Sequence, residues 1–461
     1  MKKHKKQVNL TEGSILKSLM QLAVPIMASA FLGTAYSITD MAWIGLLGAK
    51  AVAGVGAGGM FCWLSQGLSS LARMGGQVNV AQCYGQGHKT AAKQYAKAAL
   101  QMVILFGILY SIVCLTFTDG LIGFFNLGDQ QTVAAAKIYM QITCGLIIFS
   151  FINVTLTGLY TAQGDSRTPF IANLVGLAVN MILDPVLILG TGPFPRLEAA
   201  GAAIATVLAQ VLVMLVMLID IWRASEEQNI LKGIRLFERC EKHYYGAVCR
   251  IGGPTAIQGT VYCGISMILT RMTAVFGPAA IATQRVGGQI EALSWNTADG
   301  FGAALNAFCG QNYGAKKTDR IQKGYRYSIL AVSIWGALIM LAFVLFPGAI
   351  SRMFFHEQEA VRISIGYLRI IGLCEAFMCV ELTTVGALSG LGMTKLCSIL
   401  SVTLTGARIP LAILLSNTAL GVEGIWWALS ISSIAKGIVF YIAFQMQMKK
   451  LMHNGQAALK V

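Results

Sequence analysis

The chain has 461 residues, of which 56% are hydrophobic and only 12% charged, with a mean hydropathy of +0.65 and a formal net charge of +15. That balance excludes an ordinary soluble domain and places the chain in a membrane. The basic residues lie in short loops between apolar runs, which argues against nucleic acid as partner, and the eleven cysteines form no CxxC pair that would imply a zinc site or a disulfide framework.

Residues 1–14, MKKHKKQVNLTEGS, read as a polar cytoplasmic tail without a cleavable signal, because the first apolar stretch runs past the length of a signal core. The apolar runs that follow exceed the ~20 residues needed to span hydrocarbon, and period-2 alternation is absent, so the spans are helices. They are expected at 15–45, 51–73, 93–117, 133–160, 168–190 and 199–222, then at 246–275, 279–308, 324–350, 360–390, 396–417 and 422–447. The expected fold class is therefore all-α integral membrane, with about twelve transmembrane helices. Residues 15–222 form one lobe, 223–245 a cytoplasmic linker, 246–447 a second lobe and 448–461 a cytoplasmic tail. Lys2, Lys3, Lys5 and Lys6, Lys89 and Lys93, the linker's Arg235 and Arg239, Lys316, Lys317, Lys449 and Lys450 all fall on one side. The positive-inside rule makes that side cytoplasmic, with both termini there and the chain multi-pass in the plasma (inner) membrane.

The halves repeat one another. Pro25 and Pro254, Gly48 and Gly277, Ala53 and Ala282, and AQCYG (81–85) and GQNYG (310–314) are all 229 residues apart. A second register of 228 pairs Gly158 with Gly386 and Gly164 with Gly392. Six spans per copy is an even number, so the copies insert with one orientation, as two pseudo-symmetric lobes around a central cleft.

Against this apolar background, acids inside spans need a reason. A carboxylate at a helix centre costs on the order of 2.5–3.5 kcal/mol even on insertion scales. Asp40 lies ~12 Å before the outer end of the first span and Asp184 a similar distance before that of the fifth. Asn173, Asn180 and Asp184 follow i, i+7, i+11 spacing and share a helical face. Thr206 reaches the same depth on the sixth span. Asp40, Asn180, Asp184 and Thr206 therefore form the candidate ion-coupling site, for a proton or for sodium, since oxygen donors suit a hard cation and low dielectric favours a neutral carboxyl. The plainer reading makes Asp40 an interfacial cap and Asp184 the start of the turn at Pro185; two such acids together argue for function. Tyr36, one turn before Asp40, and Tyr139 would line the same cavity. Pro25 removes a backbone hydrogen bond and would let the first span bend.

The second lobe carries Arg271, Arg285, Glu291, Asp299, Arg369, Glu375, Glu381 and Arg408 in apolar runs, and their mixed signs suggest internal pairing. Glu381 aligns with Asn153, and the two are expected to face each other in the cleft, where the acid would attract a cation. Histidines 4, 88, 243, 356 and 453 all lie in loops or tails, and no GxxxxGK[ST] phosphate loop is present. No enzyme is expected, and no cofactor beyond the coupling ion.

The opening LAVPIMASAFLGTAYSITDMAWIGLLGAKAVAGVG, the segment GLYTAQGDSRTPFIANLVGLAVNMILDPVLIL, GAAIAT, and the pair IGGPTAIQG and DGFGAALNAFCGQNYGA together resemble the multidrug and toxic compound extrusion (MATE) family over essentially the whole chain. The resemblance implies secondary antiport, in which protons or sodium drive export of small organic, cationic compounds by alternating access. Within the family the chain is most similar to the DinF-like branch, whose coupling cluster falls on Asp40, Asn180, Asp184 and Thr206, with Asn153 and Tyr139 nearby. Tyr262 and Met378 stand where the NorM-like branch has acids, so a second-lobe sodium site at those positions is not implied. A lipid-linked saccharide flippase of the same superfamily is the alternative, kept open by Arg271, Arg285 and Arg408. A pseudo-symmetric chain needs no second copy, so a monomer is expected.

Overall fold

The computed structural model describes residues 7–190, 195–355 and 357–458; Lys2, Lys3, His4, Lys5, Lys6 and His356 lie outside the described residues. Within them the chain is helical, with no strand. The first half holds α1 (Ile15–Gly45), α2 (Ala49–Gly85), α3 (Lys89–Thr116), the short α4 (Thr118–Gly123), α5 (Gln130–Gly145), α6 (Ile148–Ala162), α7 (Arg167–Leu189) and α8 (Glu198–Arg223). The second half holds α9 (Lys242–Ala274), α10 (Pro278–Gly314), α11 (Thr318–Leu345), the short α12 (Pro347–Phe354), α13 (Gln358–Gly372), α14 (Glu375–Gly390), α15 (Thr394–Gly406), α16 (Arg408–Ser416) and α17 (Val422–Ala458).

Seven stretches are long and apolar enough to cross a membrane by themselves: α1, α3, α7, α8, α11, α15 with α16, and α17. Two more spans are bent pairs, α5 with α6 at 47° and α13 with α14 at 49°. The long, glycine-rich helices α2, α9 and α10, of 37, 33 and 37 residues, complete the twelve. The polar segments AQCYG and GQNYG, expected beyond the membrane, continue α2 and α10 as helix. Large apolar side chains on the outer faces, such as Ile112, Leu330, Leu338 and Ile442, are half exposed, as a lipid-facing surface requires.

The bends were not foreseen, because neighbouring helices stabilise them. Ser111 donates its hydroxyl to the Cys144 carbonyl at 2.9 Å beside the first bend, and Ser432 donates to the Leu404 carbonyl at 2.8 Å beside the α15–α16 junction. A backbone acceptor beside a break thus gains a further partner from another element, which makes the break tolerable in an apolar medium.

The described chain forms two compact units, residues 28–256 with the N-terminal 7–8, and residues 9–27 with 257–458. The lobes expected at 15–222 and 246–447 therefore trade segments. Within the second unit, Met27 packs against Gly300, where an added Cβ would stand 2.3 Å from the Met27 side chain, and Asn312 donates to the Leu10 carbonyl at 3.0 Å. Within the first, Val248 lies against Gly75 and Leu71 against Gly252, with backbone approaches that leave no room for a Cβ. The exchanges fall just after Pro25 and Pro254, at matching points of the two repeats. The linker is also more than a tether: Ile230 and Leu231 are buried in the first unit's core with Tyr160 and Met217, and the Ile230 amide donates to Gln163.

Candidate functional site

The expected polar residues of the first unit do converge. Glycines make the framework: a Cβ on Gly176 of α7 would meet Val213 of α8 at 2.3 Å, and one on Gly201 of α8 would meet the Leu187 carbonyl at 2.3 Å. With α7 and α8 this close, Asn180 and Thr206 line one cavity. Asn180 donates its amide to Asp184 Oδ1 at 3.0 Å, one helical turn along the same face. Thr206 uses its single hydroxyl hydrogen on the Ala202 carbonyl at 2.9 Å. The 3.3 Å contact between Tyr36 and Thr206 must then run from the phenol to Thr206 Oγ1. Tyr139 of α5 lies within reach of Thr206 and of the Asp40 charge, and Asp40 and Asp184 lie near enough to feel one another.

Both carboxylates are under-satisfied. Asp184 is fully buried and its Oδ2 has no hydrogen-bond partner; the same holds for Asp40 Oδ1. Among the described residues no cationic side chain pairs with either acid. Oxygen atoms without donors, in a low-dielectric region, constitute an acceptor set for a proton or a small cation. A cavity of about 310 Å³ opens beside them, bounded by Ser29 and Tyr36 on α1, Asn173 and Asn180 on α7, and Thr206 and Gln210 on α8.

The remaining expected residues are placed differently. Asn153 is not in the cluster itself: its amide donates to the Gln210 carbonyl at 2.8 Å, so it supports the cavity wall from behind. Glu381 does not present a free charge to a cation. It is buried and ion-paired to Lys436 at 2.8 Å, so the attraction expected of it is already satisfied inside the second unit. Pro25 lies inside α1, which continues through it. Sequence reasoning missed Lys436, Gln210 and Arg73, whose Nε is buried without a partner. A lone cation in the run SISSIAKGIVF was a signal for Lys436; Gln210, in a span already flagged for Thr206, lies one helical turn further along and shares its face.

The model of the MatE family matches residues 25–186 and again 254–414, once in each repeat and each time starting at one of the paired prolines. A probable multidrug resistance protein NorM of Thermotoga maritima is 28% identical over 89% of this chain and 88% of its own length. A probable multidrug resistance protein YoeA of Bacillus subtilis is 24% identical over 95% of both chains. Among solved structures, a MOP superfamily transporter from Pyrococcus furiosus superposes with a TM-score of 0.88 at 21% identity, covering 98% of this chain and all of that one. The doubled helical frame, the acid-bearing site in a membrane span and the twofold family match lead to one conclusion: the chain belongs to the MatE family of multi-span multidrug efflux transporters and is not an enzyme.

Proposed function

We propose that the protein exports small organic cations in exchange for inward-moving protons or sodium ions, by alternating access, with Asp40 and Asp184 as the exchanging groups. The observation that carries this reading is the pair of neighbouring, uncompensated carboxylates beside a cavity in the first unit. With both acids ionised the site holds two negative charges and attracts a cationic compound. A proton or sodium ion on the same oxygens cancels one of the two charges and weakens that attraction, so the two cargoes compete, and this competition couples their movements. Tyr36, Asn180 and Thr206 supply the dipoles that hold whichever cation is present. Pro25, without a backbone N–H, gives α1 a point at which to flex as the charge at Asp40 changes.

The flippase reading has less support. Arg271 and Arg285 are exposed, and Arg408 is buried among serine hydroxyls, so these three do not form one cationic surface suited to a pyrophosphate.

The test is efflux of a fluorescent organic cation from oriented vesicles under an imposed pH gradient without sodium, repeated with a sodium gradient. Asp40→Asn and Asp184→Asn should each reduce gradient-driven efflux to the level of empty vesicles, and the double variant should be no worse than either single one. Efflux that survives Asp40→Asn overturns the mechanism.

A further inference from the structure

The second unit gathers five side chains of charged type in one region, four of them buried and Glu291 partly buried, and their signs do not balance. Glu291 lies on α10, Glu375 and Glu381 on α14, Arg408 at the start of α16 and Lys436 on α17. Two acids have a counterpart. Lys436 pairs with Glu381 at 2.8 Å, both side chains under a tenth exposed. Arg408 donates to Ser432 at 3.2 Å and Ser433 at 2.9 Å, and its charge bears on Glu291. Glu291 also accepts the phenol hydrogen of Tyr367, whose ring fits only because position 287 is glycine; a Cβ there would lie 2.1 Å from it.

Glu375 is left over. It is fully buried, neither of its oxygens makes a hydrogen bond of good geometry although the Ser294 hydroxyl lies beside it, and the nearby charge is the like charge of Glu291. The other groups facing it do not change the count. From α13 and the bend come Tyr367 and Cys374, from α10 Ser294, and from α14 Cys379 in contact with that serine. Asp299, Arg285, Arg369 and Lys395 are exposed, and Glu423 lies against Gly366 at the start of α17. Three carboxylates, Glu375 and Glu381 buried and Glu291 partly buried, thus face two buried cations. A surplus charge without a cationic partner is not sustained in such surroundings, and two acids that interact share a proton.

We propose that the second lobe carries one exchangeable proton of its own, held on Glu375 and responsive to Glu291, separate from the Asp40 and Asp184 pair. The proton converts the Glu375 carboxylate to a neutral acid and brings the cluster to zero net charge. Glu375 opens α14 immediately after the 49° bend with α13. At the corresponding bend of the first unit the chain carries Leu146 and Ile147 instead, so this acid is particular to the second repeat. Loss of the proton would place a charge at the joint of a bent span, where a small change in angle can reach solvent.

The experiment is infrared difference spectroscopy of the full chain in lipid nanodiscs, following the carbonyl stretch of protonated carboxylic acids in H₂O and D₂O. Glu375→Gln should remove one acid's worth of this band, and the wild-type band should shift on transfer to D₂O. Glu291→Gln should remove the same amount although Glu375 remains, because two carboxylates then face two cations. Arg408→Gln should add one protonated acid. Asp40→Asn and Asp184→Asn should leave the Glu375 contribution in place, which keeps this test independent of the first-lobe mechanism. If Glu375→Gln does not yield folded protein, Glu291→Gln decides alone. A full wild-type band in Glu291→Gln, or a band that never shifts in D₂O, overturns the proposal.

Discussion

Asp129 shows what a carboxylate does in this protein when donors and solvent are at hand. It caps α5: its Oδ2 accepts from the Thr132 amide at 3.0 Å, and its Oδ1 pairs with Lys50 at 2.9 Å. Lys50 and the Thr132 amide hold its carboxyl down to about 2, from an ordinary 3.8. A group whose value is lower in the folded state stabilises fully above the ordinary value and loses that contribution as pH falls through the lowered one. Asp129→Ala should therefore lower the thermal midpoint at pH 7, and the gap to wild type should narrow as pH falls from about 4 toward 2. A gap independent of pH in thermal unfolding of the detergent-solubilised protein would rule out the Lys50 and Thr132 contacts as its cause. Asp40 and Asp184 lack such donors, and their oddity was legible because an acid in an apolar run stands out one residue at a time. The i, i+7, i+11 face of α7 was equally legible, since helix geometry is local. The ion pair of Glu381 was not: Lys436 lies 55 residues away on another helix, and no local spacing announces it.

At the scale of helices, glycine decides how closely elements approach. Gly386 of α14 packs on the backbone of α10, where an added Cβ would stand 2.2 Å from the Gly302 carbonyl; Gly390 repeats the contact one turn on, against the Asn306 carbonyl at 2.3 Å. Its repeat partner Gly158 on α6 plays the same part against Arg73 of α2, with a Cβ-to-Cγ approach of 2.9 Å. Backbone cannot yield as a side chain tip can, so Gly386→Ala should destabilise the protein by about 1–3 kcal/mol through forced separation of α10 and α14. Gly264 on α9 has nothing within 4 Å of its would-be Cβ, and Gly264→Ala should be neutral or stabilising by roughly 0.5–1 kcal/mol through helix propensity. Thermal melting of both variants in one detergent checks the contrast, and equal midpoints would refute the packing argument. The paired glycines were visible in the sequence as a 228-residue register, but their reason was not, because a close approach is a property of two helices. The bends at 145–148 and 372–375 were hidden for the same cause: Ser111, which satisfies the first, sits on a different span.

For the molecule as a whole, duplication made the fold legible: two family matches, twelve spans and paired prolines all follow from one repeat. The exchange of segments 9–27 and 242–256 between the units was not legible, since hydropathy marks where a helix crosses but not which neighbours it packs on. Orientation is the remaining whole-molecule property that the charge pattern addresses. By the alternation of spans Lys89, Lys93, Arg235, Arg239, Lys316 and Lys317 are expected on one side, which predicts a cytoplasmic linker and cytoplasmic ends for α2, α3, α9 and α10. Cys249 offers a native reporter. It is exposed, unlike the buried thiols such as Cys114, Cys144 and Cys309, and it stands near the start of α9. From there to the far end of α9 is ~25 residues, or roughly 38 Å of helix, more than the ~30 Å of hydrocarbon, so its thiol is expected at or beyond the inner interface. A membrane-impermeant maleimide should therefore label the protein in inside-out vesicles and not in right-side-out ones, and Cys249→Ser should remove most of that labelling, leaving at most that of the partly buried Cys83. Labelling from the outside alone would reverse the topology, and the direction assigned to the antiport would reverse with it.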